Sequence, residues 1–102
     1  MMTNKQQILN LLGLAMRAGK LVLGTDSVLS AIRDQKVQLV FFPNDGGQSQ
    51  AKKFQDKART YEVPLDQSFT RDELSQAIGA NRAAIGVADR GFGRKLKALL
   101  QE

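Results

Sequence analysis

The sequence predicts an α/β fold: a single-domain three-layer α/β/α sandwich with a small central mixed sheet. Segments with apolar residues at helical spacing alternate with short apolar runs, in the order α-β-α-β-α-β-α-β-α. Such alternation places helices on both faces of one sheet. The short runs are apolar nearly throughout, as strands covered on both faces are. A chain of 102 residues, 42% of them hydrophobic, supplies one core and leaves little room for a second domain. The domain therefore spans residues 1–102.

Each element has its own signature. In 5–16, Ile8, Leu11, Leu12 and Ala15 repeat at i, i+3, i+4, i+7, and Gly19 is the stop. Leu21-Val22-Leu23 reads as a strand, broken by Gly24. Thr25 reads as an N-cap, with Asp26 and Ser27 in the first turn of a second helix whose buried face is Val28, Leu29 and Ile32. Residues 37–42 are the clearest strand, and Pro43-Asn44-Asp45-Gly46-Gly47 ends it. Ala51, Phe54, Ala58 and Tyr61 form the stripe of a third helix. Val63-Pro64-Leu65 reads as a short strand, whose proline marks an edge or a strand start. Thr70-Arg71-Asp72-Glu73 matches a capping box. Leu74, Ala77 and Ile78 follow it, and Gly79 ends that helix. Residues 83–88 read as a buried strand and Asp89-Arg90-Gly91 as a turn. Phe92, Leu96, Leu99 and Leu100 define the last helix.

Composition excludes much chemistry. The chain has no Cys and no His. Disulfide scaffolds, thiolate nucleophiles, Ser-His-Asp catalysis and the common transition-metal sites are therefore ruled out. No apolar run reaches the roughly 20 residues of a membrane helix, and no signal peptide opens the chain. The expectation is a cytoplasmic protein without a membrane partner, and a monomer. Fifteen Lys and Arg against ten Asp and Glu give a net charge of +5. A surplus of that sign favours polyanions, since each phosphate contact releases condensed counterions, although it also serves solubility. Lys52, Lys53, Lys57 and Arg59 crowd one helix, and Arg90, Arg94, Lys95 and Lys97 crowd another.

Catalytic motifs fail on inspection. Between Gly13 and Lys20 the glycine spacing of a phosphate loop is wrong, and Leu21 stands where its hydroxyl belongs. Gly91-Phe92-Gly93 lacks the third glycine of a dinucleotide fingerprint. Asp45 and Asp89 each follow a strand, where ligands of open α/β sheets collect. Turn and cap roles account for both more simply, because no third ligand or orienting base accompanies them. Anion binding uses the same loops differently. Gly24-Thr25-Asp26-Ser27 and Asp89-Arg90-Gly91 open helices and present unpaired N–H groups. Thr25, Ser27 and Asn44 add short polar side chains, and Arg17, Lys20 and Arg90 add charge. Ordinary capping accounts for Thr25 and Ser27 equally well.

Taken in order, several stretches resemble one family. They are Ala18-Gly19-Lys20-Leu21-Val22-Leu23-Gly24, Leu39-Val40-Phe41-Phe42 with its loop, and Lys52-Lys53-Phe54 through Tyr61-Glu62-Val63-Pro64. Ala77-Ile78-Gly79 and Asp89-Arg90-Gly91-Phe92 complete the set. The chain is similar, over residues 8–100, to bacterial members of the kink-turn-binding ribosomal protein family. That family includes the archaeal and eukaryotic large-subunit proteins of the seven-Ae and thirty-e type. The resemblance implies an α/β/α sandwich that binds a sharply bent RNA duplex with tandem sheared G·A pairs. The family's recognition loop reads Gly-Thr-Asn-Glu-x-x-Lys in its strongest form. Gly24 and Thr25 match it, whereas Asp26, Ser27 and Ser30 replace the Asn, Glu and Lys. Ionised Asp26 only accepts hydrogen bonds and repels phosphate, Ser27 is shorter than Glu, and Ser30 carries no charge. Each lost base contact is worth about 1–3 kcal/mol.

The sequence therefore points to a non-enzymatic protein of ribonucleoprotein type that binds structured RNA, ribosomal RNA or the ribosome, with weakened base-specific contacts. It needs no cofactor and no metal. The expected RNA-binding residues are Arg17, Lys20, Gly24, Thr25, Asp26, Ser27, Ser30, Asn44, Asp45, Asp89, Arg90 and Gly91, gathered in three turns along one rim. Within this resemblance, the turn at 88–92 closes on the RNA. The rival reading is a protein-interaction module that docks through the helix carrying Lys52, Lys53 and Lys57.

Overall fold

The most apolar run of the chain becomes one of the two inner strands of the sheet, because residues of this kind lose least on being covered from both sides. In the computed structural model, which describes residues 3–102, that strand is β2 (Leu39–Phe41). The other elements are α1 (Asn4–Arg17), β1 (Leu21–Leu23), α2 (Thr25–Arg33), α3 (Gln48–Thr60), β3 (Leu65–Asp66), α4 (Arg71–Ile78), β4 (Ile85–Val87) and α5 (Arg90–Leu100). Their order is the one the periodicities predict.

One four-stranded mixed sheet holds the order β1-β4-β2-β3. β4 runs antiparallel to β1, with Leu23 opposite Ile85 and Leu21 opposite Val87. It runs antiparallel to β2 in the same way, with Phe41 opposite Ile85 and Leu39 opposite Val87. β3 lies parallel to β2 at the edge. β1, β2 and β3 therefore finish at one end of the sheet, here called the rim, where β4 begins. β4 finishes at the opposite end, the base.

Alternation along β2 divides the interior. Leu39 and Phe41 point into a cluster with Ile8 and Leu12 of α1, Leu74 of α4 and Leu96 of α5. Val40 and Phe42 point into a second cluster with Val28 and Ile32 of α2 and Phe54 of α3. Phe42 stacks on Phe54 with centroids 4.8 Å apart. Helices on both faces complete the α/β/α sandwich.

The strands are shorter than their apolar runs. Residues 83–88 yield only Ile85–Val87, and 37–42 only Leu39–Phe41. β3 starts at Leu65 rather than Val63. Pro64 has no N–H to give, but its carbonyl accepts from Val40 N at 2.9 Å and opens the ladder at the sheet edge. At α2 the cap falls on Gly24 instead of Thr25, and Thr25 is the first helical residue. Two capping boxes form: Thr3 with Gln6 on α1, and the expected Thr70 with Glu73 on α4. Asp89 is the N-cap of α5, which begins at Arg90, so the segment read as a turn is cap and first helical turn.

Lys5 joins α1 to α4 by an ion pair with Glu73, and its ammonium lies 5.7 Å from the centre of the Phe69 ring. The hydrogen bond from Lys5, then that from the Thr70 backbone N–H, holds the Glu73 carboxyl below its ordinary 4.5. A carboxyl whose pKa is lower folded than unfolded adds stability above its unfolded pKa and loses it as pH falls through the folded one. Chemical denaturation of the wild type and Glu73→Gln is expected to show a gap at about pH 6 that narrows toward about pH 3. A gap constant across that range overturns the assignment. Phe54→Ala is expected to lower unfolding stability by about 3–5 kcal/mol, from lost burial and the cavity left under Phe42.

Candidate nucleic-acid interface

Three loops meet at the rim. The first is the β1–α2 junction, where Gly24 N donates to Ala84 O at 3.1 Å and so ties this loop to the one entering β4. The second is the β2–α3 loop, 42–47, where Asn44 N donates to Phe69 O at 2.9 Å. The third is the α4–β4 loop, 79–84. Arg71 links the last two. Its backbone N–H donates to Asp45 Oδ1 at 2.9 Å, and its Nε donates to Asn81 Oδ1 at 3.2 Å. Ser75 Oγ donates to Arg82 O at 3.4 Å.

Two helices start at this end with no side-chain cap, α2 after Gly24 and α3 after Gly47. Their first-turn N–H groups lack intrahelical acceptors and carry the positive end of the helix dipole. Gly24 makes the α2 start possible. Its φ of 97° and ψ of 150° lie where a Cβ clashes with the chain. Thr25 Oγ1 donates to Gln50 Oε1 at 3.4 Å and spans the two helix starts. Asp26, Ser27, Asn44 and Asp45 are exposed, and Asp26 stands in the first turn of α2, where a negative charge favours the helix.

The expected site does not form one cradle. Gly24, Thr25, Asp26, Ser27, Asn44 and Asp45 share the rim, and Ser30 lies one turn along α2. Lys20 immediately precedes β1, and its carbonyl accepts from Ala88 N at 2.9 Å. Lys20, Arg17 at the end of α1, and Asp89, Arg90 and Gly91 are therefore at the base. The cause is the direction of β4, which delivers its following turn to the opposite end from the turns after β1 and β2. The loop that completes the rim is the one before β4, not the turn at 88–92. The sequence leaves Asn81 and Arg82 unmarked for this reason, their one signal being polar residues after the helix-stopping Gly79. Gln50 and Arg71 lie in the first turns of α3 and α4 and carry no signal beyond being polar.

The same split separates the two candidate carboxylates. Asp45 accepts from Arg71 N at the rim, whereas Asp89 Oδ2 accepts from Phe92 N at 2.9 Å and caps α5 at the base. They stand at opposite ends of the sheet. Among the described residues no three His, Cys, Asp or Glu side chains gather as a metal site. Behind the rim, a groove of about 660 Å³ runs between α2 and α3, lined by Asp26, Leu29, Ser30, Arg33, Lys53, Asp56, Lys57, Thr60 and Tyr61. Lys53 and Lys57 of the basic helix face it. No helix among the described residues is long and apolar enough to cross a membrane.

The model of the ribosomal protein L7Ae/L30e/S12e/Gadd45 family matches residues 6–98. The chain belongs to this family. Within it, the chain is 43% identical over 98 residues to RNA-binding protein YlxQ of Enterococcus faecium, covering 96% of this chain and 95% of that one. It is 42% identical over 91 residues to RNA-binding protein YlxQ of Bacillus subtilis (strain 168), covering 88% and 91%. A solved structure of a Bacillus halodurans C protein of unknown function superposes with a TM-score of 0.90 at 42% identity, covering 94% of this chain and 98% of that one. The Giardia lamblia 15.5kD RNA binding protein superposes with a TM-score of 0.83 at 14% identity, covering 96% and 85%, and so shares the fold.

Gly24→Ala puts a Cβ on a backbone conformation that L-residues rarely adopt, at about 1–3 kcal/mol. It is expected to lower the denaturation midpoint and to shift the amide resonances of Thr25, Asp26 and Ser27 ahead of those in β2. Unchanged stability and amide shifts overturn the role given to Gly24.

Proposed function

We propose that this chain is a non-enzymatic RNA-binding protein of the cytoplasm that grips a bent, ribosomal or kink-turn-like RNA at its rim. The observation that carries the reading is the pair of uncapped helix starts, α2 and α3, side by side at one end of the sheet. Peptide N–H groups there are positioned for phosphate and base-edge acceptors. Gly24, Thr25, Ser27 and Asn44 meet the RNA through amide and hydroxyl groups. Asp26 and Ser30 supply fewer base contacts than the Asn and Lys of the family's strongest loop. Asp45 orients the start of α4, and Arg71 and Arg82 bring the positive charge that Asp26 and Asp45 lack. The YlxQ relatives support the reading by name.

Titration against an RNA with tandem sheared G·A pairs, and against a straight duplex of equal length, tests it. Preference for the bent RNA is expected, and equal affinity removes the specific mode. Arg82→Ala is expected to weaken binding and reduce the slope of log K against log salt by about one contact. Lys20→Ala, at the base, is expected to change affinity less than Arg82→Ala does; the reverse order overturns the placement at the rim. The α2–α3 groove, with Leu29 and Tyr61 in its wall, favours protein docking as a second reading. Retention on ribosomes after nuclease treatment supports that one.

A further inference from the structure

At the base, α5 presents a row of cations. Arg90, Arg94 and Lys97 stand at i, i+4, i+7 and line a shallow depression of about 400 Å³ with Gln38, Ala98 and Gln101. Gln38 precedes β2 and donates its N–H to Val87 O at 2.7 Å. The depression therefore sits at the start of β2, the opposite end of that strand from Asn44. Gly93 brings the helix this close: a Cβ there would lie 2.9 Å from the Gln38 Cβ. Gln38 and Gln101 thus line the same depression as the three cations.

Two features separate this row from ordinary surface charge, and a third sets Arg90 apart. No acidic side chain lines the depression. Lys97 also borders hollows containing Glu62 and Asp66. Yet among the described residues the ion pairs are Lys5–Glu73, Arg33–Asp34 and Arg59–Asp56, and none involves α5. The third feature is placement along the helix. Cations in a last turn are explained by the helix dipole, and Arg33, Lys57, Arg59 and Lys97 have that explanation. Arg90 does not. It is the first residue of α5, at the positive end, where a cation is disfavoured.

We infer that the base is a second RNA-binding surface, on which Arg90, Arg94 and Lys97 hold the phosphates of a duplex segment other than the one at the rim, so that the chain bridges two segments. The inference builds on the RNA-binding function proposed above. The occupant is a phosphate backbone and not a base edge, because the row offers charge and amide donors along about 10 Å of helix without an enclosed pocket.

The test saturates the full chain with an unlabelled bent RNA hairpin and then titrates in a labelled straight RNA duplex. The wild type is expected to take up the duplex while the hairpin stays bound. The double variant Arg94→Gln/Lys97→Gln is expected to weaken duplex uptake about tenfold at low salt and lower the salt slope by about two contacts. Arg94→Lys/Lys97→Arg is expected to restore both. Hairpin affinity should be the same in all three proteins. No duplex uptake on the hairpin-loaded protein, or uptake indifferent to the double variant, overturns the inference. So does a stripe that binds polyglutamate in preference to the duplex, which marks an acidic protein as the partner. If the hairpin fails to bind while duplex uptake still depends on Arg94 and Lys97, the rim reading and the bridge fail together, and the base alone stands as an RNA-binding surface.

Discussion

β4 lies between β1 and β2 and runs against both, with Ile85 opposite Leu23 on one side and Phe41 on the other. Through that strand the two ends of the sandwich acquire different chemistry. The helices that follow β1 and β2 begin at the rim, and the helix that follows β4 begins at the base. An all-parallel sheet would have collected every strand-to-helix turn at one end. Here the loop entering β4 takes the third place instead, held by the hydrogen bond from Gly24 N to Ala84 O. Arg71 then ties that loop to Asp45.

Helix ends show how the basic residues are shared between folding and surface. α1, α2 and α3 close with the same motif, in which the amides of Lys20, Lys36 and Val63 reach back to the carbonyls of Ala15, Ala31 and Ala58, each at 2.9 Å. The left-handed residue in these closures is Gly19, Gln35 and Glu62 respectively. Arg33, Lys57 and Arg59 occupy the last turns beside such closures, where exposed carbonyls attract positive charge. With Arg17 and Lys97, five of the fifteen Lys and Arg stand at the ends of the chain's own helices.

Most of the architecture was legible because it rests on local rules. Thr70 and Glu73 announce α4, Gly79 ends it, and the unbroken apolar run around Val40 identifies an inner strand. Strand direction was not legible. It depends on which strands pair, and no residue of β4 records whether its neighbours run with it or against it. For want of that direction, the sequence pattern places Asp89, Arg90 and Gly91 with Gly24 and leaves Asn81 and Arg82 unmarked. Thr25 reads as a cap because its side chain suits one; Gly24 reads as a break in the strand, although a glycine is what the dihedrals of the cap position require. Residues 24–27 and 44–45 stand out in the sequence because a polar loop after an apolar strand is a local pattern.

The donors at the starts of α2 and α3 belong to the main chain. Most point mutations exchange a side chain and leave the amide where it was. Only proline, which lacks the N–H, or a change that moves the backbone, as at Gly24, removes such a donor. A loop built this way keeps its row of main-chain donors whatever side chains stand at Asp26 and Ser27, so the shape of that end of the sheet and the chemistry of its side chains are set independently.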